Sequence, residues 1–227
     1  MRKVGILCAS NTELAPFLEI MEAGRITEKA MLRFHEGAIG GIPVTAVYSG
    51  VCKVNAAIAA ELLVEAYDVD AVINAGTAGG IDLRVRLFDT VVAERSVYHD
   101  VTSDILTKFH PWLSSAYFPS DEGLLSAAKI YAKTARHPIL FGTIATGELF
   151  VENKDRECIC KKCNPLAVDM ETASAAHVCY VNQVPFLAVR SITDTSEDSG
   201  AEAFKRNCAR ASEIAAEVTA RLLRAWI

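Results

Sequence analysis

Short apolar runs alternate along this chain with longer segments in which apolar residues recur at helical spacing. The runs at residues 3–9, 71–75 and 185–192 are compact and bounded by polar residues, which is typical of buried strands. Residues 31–49 predict antiparallel strands with a turn at Gly40-Gly41. Further strands are predicted over residues 89–97 and 139–145, and helices over residues 13–21, 54–67, 124–135, 172–182 and 202–226.

Buried strands that alternate with helices indicate an α/β fold, with a three-layer α/β/α arrangement around a mixed, mostly parallel central sheet. The chain has 227 residues, enough for one large domain, and no repeat, low-complexity stretch or linker divides it. We therefore expect residues 1–227 to form a single domain. In sheets of this kind ligands bind beyond the carboxyl ends of the strands.

The composition excludes several classes of function. An apolar fraction of 51% with 22% charged residues is that of an ordinary globular protein. The net charge of −5, without a basic stripe, argues against nucleic acid as a partner. No apolar run approaches the ~20 residues of a membrane span. Seven cysteines, an odd number, favour a reducing compartment over a disulfide scaffold, so we expect a cytoplasmic protein.

The cluster Cys158, Cys160 and Cys163 is the one candidate metal motif. A structural zinc site usually takes four ligands as two separated pairs, and a second pair is missing here. Lys161 and Lys162 would add positive charge beside the ion. We therefore expect incidental thiols and no bound metal, so that a chelator leaves the thermal stability unchanged.

Three separate blocks each deliver a carboxylate just after a strand-like run: Glu13, Glu171 and Asp194. Cleavage of a glycosidic bond needs one acid for the leaving group and one base for water, so these residue types suit that chemistry. Each also has a purely structural interpretation. Glu13 and Glu171 stand at helix starts, where a carboxylate stabilises exposed amides, and Asp194 precedes a polar loop.

The glycine-rich segment of residues 74–80, NAGTAGG, follows a predicted strand. Its glycines would let backbone amides approach a ligand, but a tight structural turn explains them equally well. The segment lacks the G-x-G-x-x-G spacing of a dinucleotide site and the Lys-Ser/Thr ending of a P-loop. Arg190, within the last predicted strand, is expected to pair with a buried carboxylate or with carbonyl groups.

Taken together, these blocks resemble the bacterial 5′-methylthioadenosine/S-adenosylhomocysteine nucleosidases of the purine nucleoside phosphorylase superfamily. The resemblance runs over nearly the whole chain, and several matching stretches follow one another in the family order. They are GILCASNTE, SGVCKVNAA, NAGTAGGI, DTVVAE…YHD, TGELFV, AVDMETASAAHVC and VPFLAVRSITD.

The resemblance implies a role for each matching residue. Asp194 would protonate purine N7, and Glu13 would hold and deprotonate the attacking water. Glu171 would accept hydrogen bonds from the ribose hydroxyls, with Met170 packed against the sugar. Phe150 would stack on adenine while the backbone of Val151 reads its Watson–Crick edge. The remaining expected contacts with the substrate are Ala9, Val51, Thr77, Ala78, Gly79 and Thr193, where Thr193 replaces the usual serine.

The resemblance also implies that no cofactor is needed, because water is the second substrate, and that the enzyme is a homodimer. In the family a segment from the neighbouring subunit closes the 5′-substituent site. Here that segment, residues 101–112, departs from the common aspartate–valine–threonine–alanine–phenylalanine run. Val101, Ile105 and Trp112 are its candidates. Because this segment departs from the family run, the preferred 5′ group stays open. Glu148 and Asp169 are further departures, since at each of these positions the family usually has the other acidic residue.

Three other functions compete with this interpretation. A purine nucleoside phosphorylase shares the fold, but Glu13 would repel its phosphate. A non-catalytic nucleoside-binding protein would be expected to lack one of the three acids. The third alternative is hydrolysis of a related adenine nucleoside, such as aminodeoxyfutalosine.

Overall fold

The computed structural model describes residues 2–110, 112–151, 153–198 and 200–226. Strands and helices alternate along most of the chain. In chain order the elements are β1 (Val4–Cys8), α1 (Asn11–Ile20), β2 (Glu22–Lys29), β3 (Leu32–Ile39), β4 (Ile42–Tyr48), α2 (Lys53–Glu65), β5 (Ala71–Gly80), β6 (Thr90–Tyr98), α3 (Ser103–Phe109), β7 (Tyr117–Pro119), α4 (Glu122–Ala132), β8 (Ile139–Thr146), α5 (Asn153–Cys163), β9 (Ala167–Asp169), α6 (Thr172–Val181), β10 (Phe186–Asp194) and α7 (Ala201–Trp226).

The strands form one mixed sheet. Parallel pairs join β1 to β4 and β5, β5 to β10, β6 to β8, and β8 to β9. Antiparallel pairing extends one edge through β4, β3 and β2, and attaches β7 to β6. Because β10 pairs with both β5 and β6 while β9 joins β8 to β5, these five strands close into a ring. The ring brings the ends of β5, β9 and β10 together.

Two apolar cores lie on opposite faces of the sheet. One contains buried residues of α2 and α6, such as Leu63 and Ala175, and the other contains residues of α1, α4 and α7, such as Phe17 and Leu222. The β-branched and leucine-rich strands between them are buried on both faces, which is why they are near-continuous apolar runs in the sequence. The three-layer α/β fold predicted from the sequence is confirmed.

The predicted turn at Gly40-Gly41 is confirmed, since both residues have positive φ (58° and 80°), as a two-residue hairpin turn requires. The segment 74–80 is different from the prediction. It is a continuation of β5 and not a turn, and its residues pair with β10 from Asn74–Ala188 to Gly79–Asp194. The elements β2, β7, α3 and α5 were not predicted, and β9 was predicted only as a strand-like run before Glu171. No helix among the described residues is long and apolar enough to cross a membrane.

Candidate active site

A cavity of about 270 Å³ opens where β1, β5 and β10 end. All twelve residues that the sequence analysis assigned to catalysis or substrate binding line it. They are Ala9, Glu13, Val51, Thr77, Ala78, Gly79, Phe150, Val151, Met170, Glu171, Thr193 and Asp194. Six separate segments of the chain thus meet around one space, at the edge of the sheet where α/β folds bind ligands. The cavity is close to the lower end of the ~300–1,000 Å³ range of small-molecule sites.

Glu13 is held by three hydrogen bonds at the start of α1. The backbone N–H of Ala9 donates to Oε2 at 2.7 Å, and both the N–H and the hydroxyl of Thr77 donate to Oε1 at 2.8 Å. Ser10 caps the helix by accepting the N–H of Glu13 at 3.3 Å. The cap is therefore supplied by Ser10, which leaves the carboxylate of Glu13 free to face the cavity.

Gly76 lies where the strand β5 passes close to the side chain of Glu13. A Cβ atom on Gly76 would lie only 2.5 Å from the Glu13 carboxyl group. Residue 76 of β5 therefore has to lack a side chain for the Glu13 carboxylate to reach Thr77. Gly79 has a related role, since a Cβ there would lie 3.1 Å from Asp194 Oδ2.

Glu171 precedes α6, and its two oxygens have different partners. The N–H of Cys52 donates to Oε1 at 3.0 Å, and Arg190 Nη2 donates to Oε2 at 3.4 Å. Arg190 is completely buried. Its Nε lies 3.0 Å from Asp169 Oδ2, its Nη2 donates to Asn74 Oδ1 at 2.5 Å, and its Nη1 is 4.0 Å from Glu13 Oε1. The prediction that Arg190 pairs with a buried carboxylate is confirmed.

Three buried carboxylates thus surround one described guanidinium. If Glu13, Asp169 and Glu171 were all ionised beside Arg190, the cluster would carry a net charge of −2, from three negative and one positive group. Burial, together with the charges of Asp169 and Glu13, raises the pKa of Glu171 to about 7 against the opposing effect of Arg190. Glu171 therefore keeps a proton to a higher pH than an exposed glutamate does.

This shift in the pKa of Glu171 predicts a pH-dependent stability. The carboxyl group has a pKa of 4.5 in the unfolded chain and of about 7 in the fold. Its contribution to the free energy of unfolding is therefore complete below pH ~4.5 and is lost as the pH rises through ~7. Glu171→Gln is expected to flatten the decline in unfolding free energy between these values, by at most ~1.4 kcal/mol per pH unit. Urea unfolding at pH 5, 6 and 7 measures it. Exposed Glu65→Gln is the control, and an equal slope in wild type and Glu171→Gln contradicts the assignment.

Asp194, the last residue of β10, is almost completely buried. The Thr193 hydroxyl donates to Oδ1 at 2.9 Å, and Arg156 Nη2 lies 3.6 Å from Oδ2. Burial raises the pKa of Asp194 above its ordinary value, and Asp198 adds to the rise, while Thr193 and Arg156 oppose it. A carboxyl group in this setting can keep a proton to a higher pH than an exposed aspartate does.

Seven further residues line the cavity and were not assigned from the sequence: Ser10, Leu149, Val168, Asp169, Ala201, Phe204 and Lys205. Phe204 forms an edge-to-face pair with Phe150, with ring centroids 6.4 Å apart. The place of Phe204 in the cavity is hard to predict from the sequence, because a phenylalanine in the first turn of a long amphipathic helix is usually a core residue. The place of Asp169 is easier to predict, because it lies two residues before Glu171 in the same motif.

Two other predicted features lie away from the cavity. The described residues of the segment 101–112 do not line it, and Phe109 and Trp112 of that region are 74% and 66% exposed. Cys158, Cys160 and Cys163 are on α5, where Cys158 is exposed and Cys163 is buried with its thiol donating to the Ile159 carbonyl. Among the described residues, no group of three His, Cys, Asp or Glu side chains could hold a metal ion.

Comparison with known proteins gives this geometry a context. A family model described as the phosphorylase superfamily matches residues 3–224. A 5′-methylthioadenosine/S-adenosylhomocysteine nucleosidase from Colwellia psychrerythraea is 34% identical over 89% of this chain and 88% of its own length. The chain belongs to this nucleosidase family, within the phosphorylase superfamily. The family resemblance inferred from the sequence motifs is confirmed.

Solved structures agree with this family assignment. The Colwellia psychrerythraea nucleosidase in complex with adenine has a TM-score of 0.88 and 31% identity, with 99% of this chain and 95% of that chain covered. A futalosine hydrolase of Helicobacter pylori has a TM-score of 0.89 and 28% identity, with 98% of this chain and 97% of that chain covered. The nucleosidase fold therefore occurs with more than one named nucleoside hydrolase activity.

Proposed function

We propose that this protein hydrolyses the N-glycosidic bond of 5′-methylthioadenosine and S-adenosylhomocysteine, releasing adenine and the 5-substituted ribose. The observation that carries the proposal is that Glu13, Glu171 and Asp194 line one cavity, each fixed by its own hydrogen bonds. Membership of the nucleosidase family supports the same activity. Water is the second substrate, and no cofactor takes part.

In the proposed reaction the bond between C1′ and N9 breaks, and its electron pair goes to the purine. Asp194 gives its proton to N7, so adenine leaves as a neutral base. Glu13 accepts a proton from the water whose oxygen bonds to C1′. Charge develops on both sugar and base in the oxocarbenium-like transition state, where preorganised carboxylates are worth more than in the ground state.

The other lining residues would orient the nucleoside. Glu171 accepts hydrogen bonds from the ribose hydroxyls, and Met170 packs against the sugar. Phe150, paired with Phe204, offers an aromatic face to adenine, and the backbone of Val151 meets the Watson–Crick edge. The roles of Ala9, Val51, Thr77, Ala78, Gly79 and Thr193 as substrate contacts are supported by their positions on the cavity wall.

The charges around Glu13 favour water over phosphate as the nucleophile. Phosphorolysis needs cations or several free amides at the attacking position. Among the described residues that line the cavity, Lys205 is the only cation, and it is 70% exposed with Nζ 3.4 Å from Glu202 Oε1. The amides nearest to Glu13, those of Ala9 and Thr77, already donate to its carboxylate. A phosphate would meet a negative charge there.

A second candidate function is the hydrolysis of a futalosine-type nucleoside. It is favoured by the futalosine hydrolase structure, whose TM-score of 0.89 is as high as those of the nucleosidases. The differences between these substrates lie in the base and in the 5′ group. Asp194 and Glu13 would serve both reactions in the same way, so only measurements with substrates separate the two.

The test is release of free base by the purified protein from methylthioadenosine, adenosylhomocysteine, adenosine, inosine, aminodeoxyfutalosine and futalosine, each with and without phosphate. We expect the first two to be cleaved fastest and without phosphate. A requirement for phosphate would identify a phosphorylase, and a preference for a futalosine-type substrate would identify the second candidate. Calorimetric binding of nucleosides without base release would identify a binding protein.

Gly76→Ala is expected to lower turnover by roughly 10–100-fold, because the added Cβ would meet the Glu13 carboxyl group at 2.5 Å and displace the proposed base. Gly80→Ala is the matched control in the same strand, since its added Cβ faces Val85 and Ile192 side chains at 3.1 and 3.2 Å. Steady-state kinetics on both variants measures the effect. Equal activities would contradict the proposed position of Glu13.

We also propose a homodimer in which the segment of residues 101–112, with Val101, Ile105 and Trp112, closes the neighbour's 5′-substituent site. The exposure of Trp112 and the absence of the described part of this segment from its own cavity support the proposal. Sedimentation of wild type and Trp112→Ala tests it.

A single domain over residues 1–227 is supported by the continuous sheet. The seven free cysteines support a cytoplasmic location, and the proposed substrates suit methionine salvage.

A further inference from the structure

Arg156 of α5 stands directly behind Asp194, outside the cavity wall. Only 7% of Arg156 is exposed. Its Nη1 donates to the Gly80 carbonyl at 2.5 Å, and its Nη2 lies 3.6 Å from Asp194 Oδ2. Gly80 ends β5 and Asp194 ends β10, so Arg156 touches both strands that form this side of the cavity.

The guanidinium of Arg156 is incompletely partnered. Within the part of the chain that the structure describes, Nε and Nη2 are buried and have no hydrogen-bond partner. A buried cation is costly unless a negative charge and hydrogen bonds offset it. Among the described residues, Asp194 is the carboxyl group within ion-pair distance of Arg156, and it compensates for this burial only when it is ionised.

The groups that face Asp194 come from three elements. Arg156 on α5 and the Thr193 hydroxyl on β10 favour its ionised form, while Asp198, in the loop before α7, favours the protonated form. Asp198 is itself engaged with Arg206. Arg156 is faced by Asp194 and, more weakly, by Cys160 on its own helix. Arg156 is therefore the one described cation that acts directly on Asp194.

We infer that Arg156 is a positioning residue for the acid of the reaction: it holds the Asp194 carboxyl group toward the purine and stabilises the carboxylate that forms as the proton leaves. The inference rests on the proposed function. Before the reaction Asp194 is protonated, so the attraction is weak. As the proton moves to N7 and the C1′–N9 bond breaks, Asp194 becomes negative and the attraction to Arg156 grows. An interaction that is stronger in the transition state than in the ground state accelerates the reaction.

The inference predicts a displaced pH profile. Activity requires protonated Asp194, so kcat/KM falls as the pH rises through its pKa. Removing the cation raises the pKa of Asp194. In Arg156→Met the falling limb of the pH profile of kcat/KM should therefore move to higher pH by about one unit. This is the low end of the pKa shift that an opposite charge causes at this distance. At pH 7, kcat should fall up to about tenfold because the carboxylate formed is less stable. Arg156→Lys keeps the cation and should restore both values most of the way.

A second neutral variant and a double-mutant cycle separate positioning from a merely structural role. Arg156→Gln keeps a polar side chain without the positive charge and should shift the falling limb of the pH profile as Arg156→Met does. In an Asp194→Asn background, Arg156→Met should change the residual kcat by less than about twofold, because no carboxylate is left for it to act on. Circular dichroism and thermal melting accompany every variant.

The outcomes distinguish this inference from the proposed function. If the wild type releases no adenine, the proposed function fails. If Asp194→Asn abolishes activity while the falling limb of the Arg156→Met pH profile stays at the wild-type pH, only the inference fails. An equal loss in the wild-type and Asp194→Asn backgrounds overturns it as well. So does failure of both neutral variants to fold, because Arg156 is then required for structure.

Discussion

Replacing Asp194 with asparagine is expected to lower kcat for adenine release by roughly a hundredfold or more, with the fold intact. Asparagine is nearly isosteric and can still donate a hydrogen bond to N7, but it cannot transfer a proton. General acid catalysis typically contributes roughly 10²–10⁴-fold, about 3–5 kcal/mol. Steady-state kinetics with saturating methylthioadenosine measures the loss, and circular dichroism reports the fold.

Asp68→Asn is the control for Asp194→Asn. It removes an exposed carboxylate between α2 and β5, at the end of β5 away from the cavity, and its positive φ of 51° suits asparagine. Its kcat should stay within about twofold of the wild type, since surface substitutions have small effects. Near-normal activity of Asp194→Asn would remove this residue from the mechanism, and equal losses in both variants would indicate a general effect of removing a carboxylate.

Replacing Glu13 with glutamine is expected to lower kcat by a similar factor, roughly a hundredfold or more. The amide cannot accept the proton of the attacking water. It also places an NH₂ group against donors, because both oxygens of Glu13 accept hydrogen bonds from Ala9 or Thr77. Binding of adenine should persist, because the proposed contacts to the base come from other residues. Kinetics and adenine calorimetry measure the two effects separately.

Glu19→Gln is the control for Glu13→Gln, because it changes an exposed glutamate on the same helix. Its turnover should match the wild type. If Glu13→Gln kept near-normal turnover, another group would have to activate the water. If it lost adenine binding and turnover together, Glu13 would be required for the shape of the cavity and its role as a base would lose its support.

The buried strands and long helices were predictable because their apolar residues repeat at the spacing of the element. The missed elements lack that pattern. β2 is a polar edge strand, and its hairpin to β3 turns at Ala30-Met31, where both residues have positive φ without being glycine or asparagine. β7 and β9 have only three residues each. Such elements depend on tertiary pairing, which local sequence does not record.

The glycine-rich strand shows how a functional site can conflict with local preference. Three glycines in seven residues are typical of a turn or a ligand-binding loop, and the sequence favours neither over the other. β10 and β9 hold the segment extended by pairing with it, and Gly76 leaves room for the Glu13 carboxyl group. Gly76 is therefore explained by a side chain 63 residues earlier in the chain, counted from Glu13 to Gly76.

The candidate site was predictable where its residues lie in motifs and less so elsewhere. Glu13 and Glu171 each follow a strand, Asp194 ends one, and all three lie in blocks that match the family order. Asp169 lines the cavity and pairs with the buried Arg190, whereas Arg156 lies behind the cavity wall on a polar helix with no apolar spacing to predict it. The register of α5 against β5 and β10 decides its position, and this is a property of the whole fold.

The most direct measurement is mass spectrometry of the products after incubation of the purified protein with methylthioadenosine in phosphate-free H₂¹⁸O. We expect equimolar adenine and methylthioribose that carries one ¹⁸O at C1. No adenine release under these conditions, or release only when phosphate is added, would contradict hydrolysis at this site.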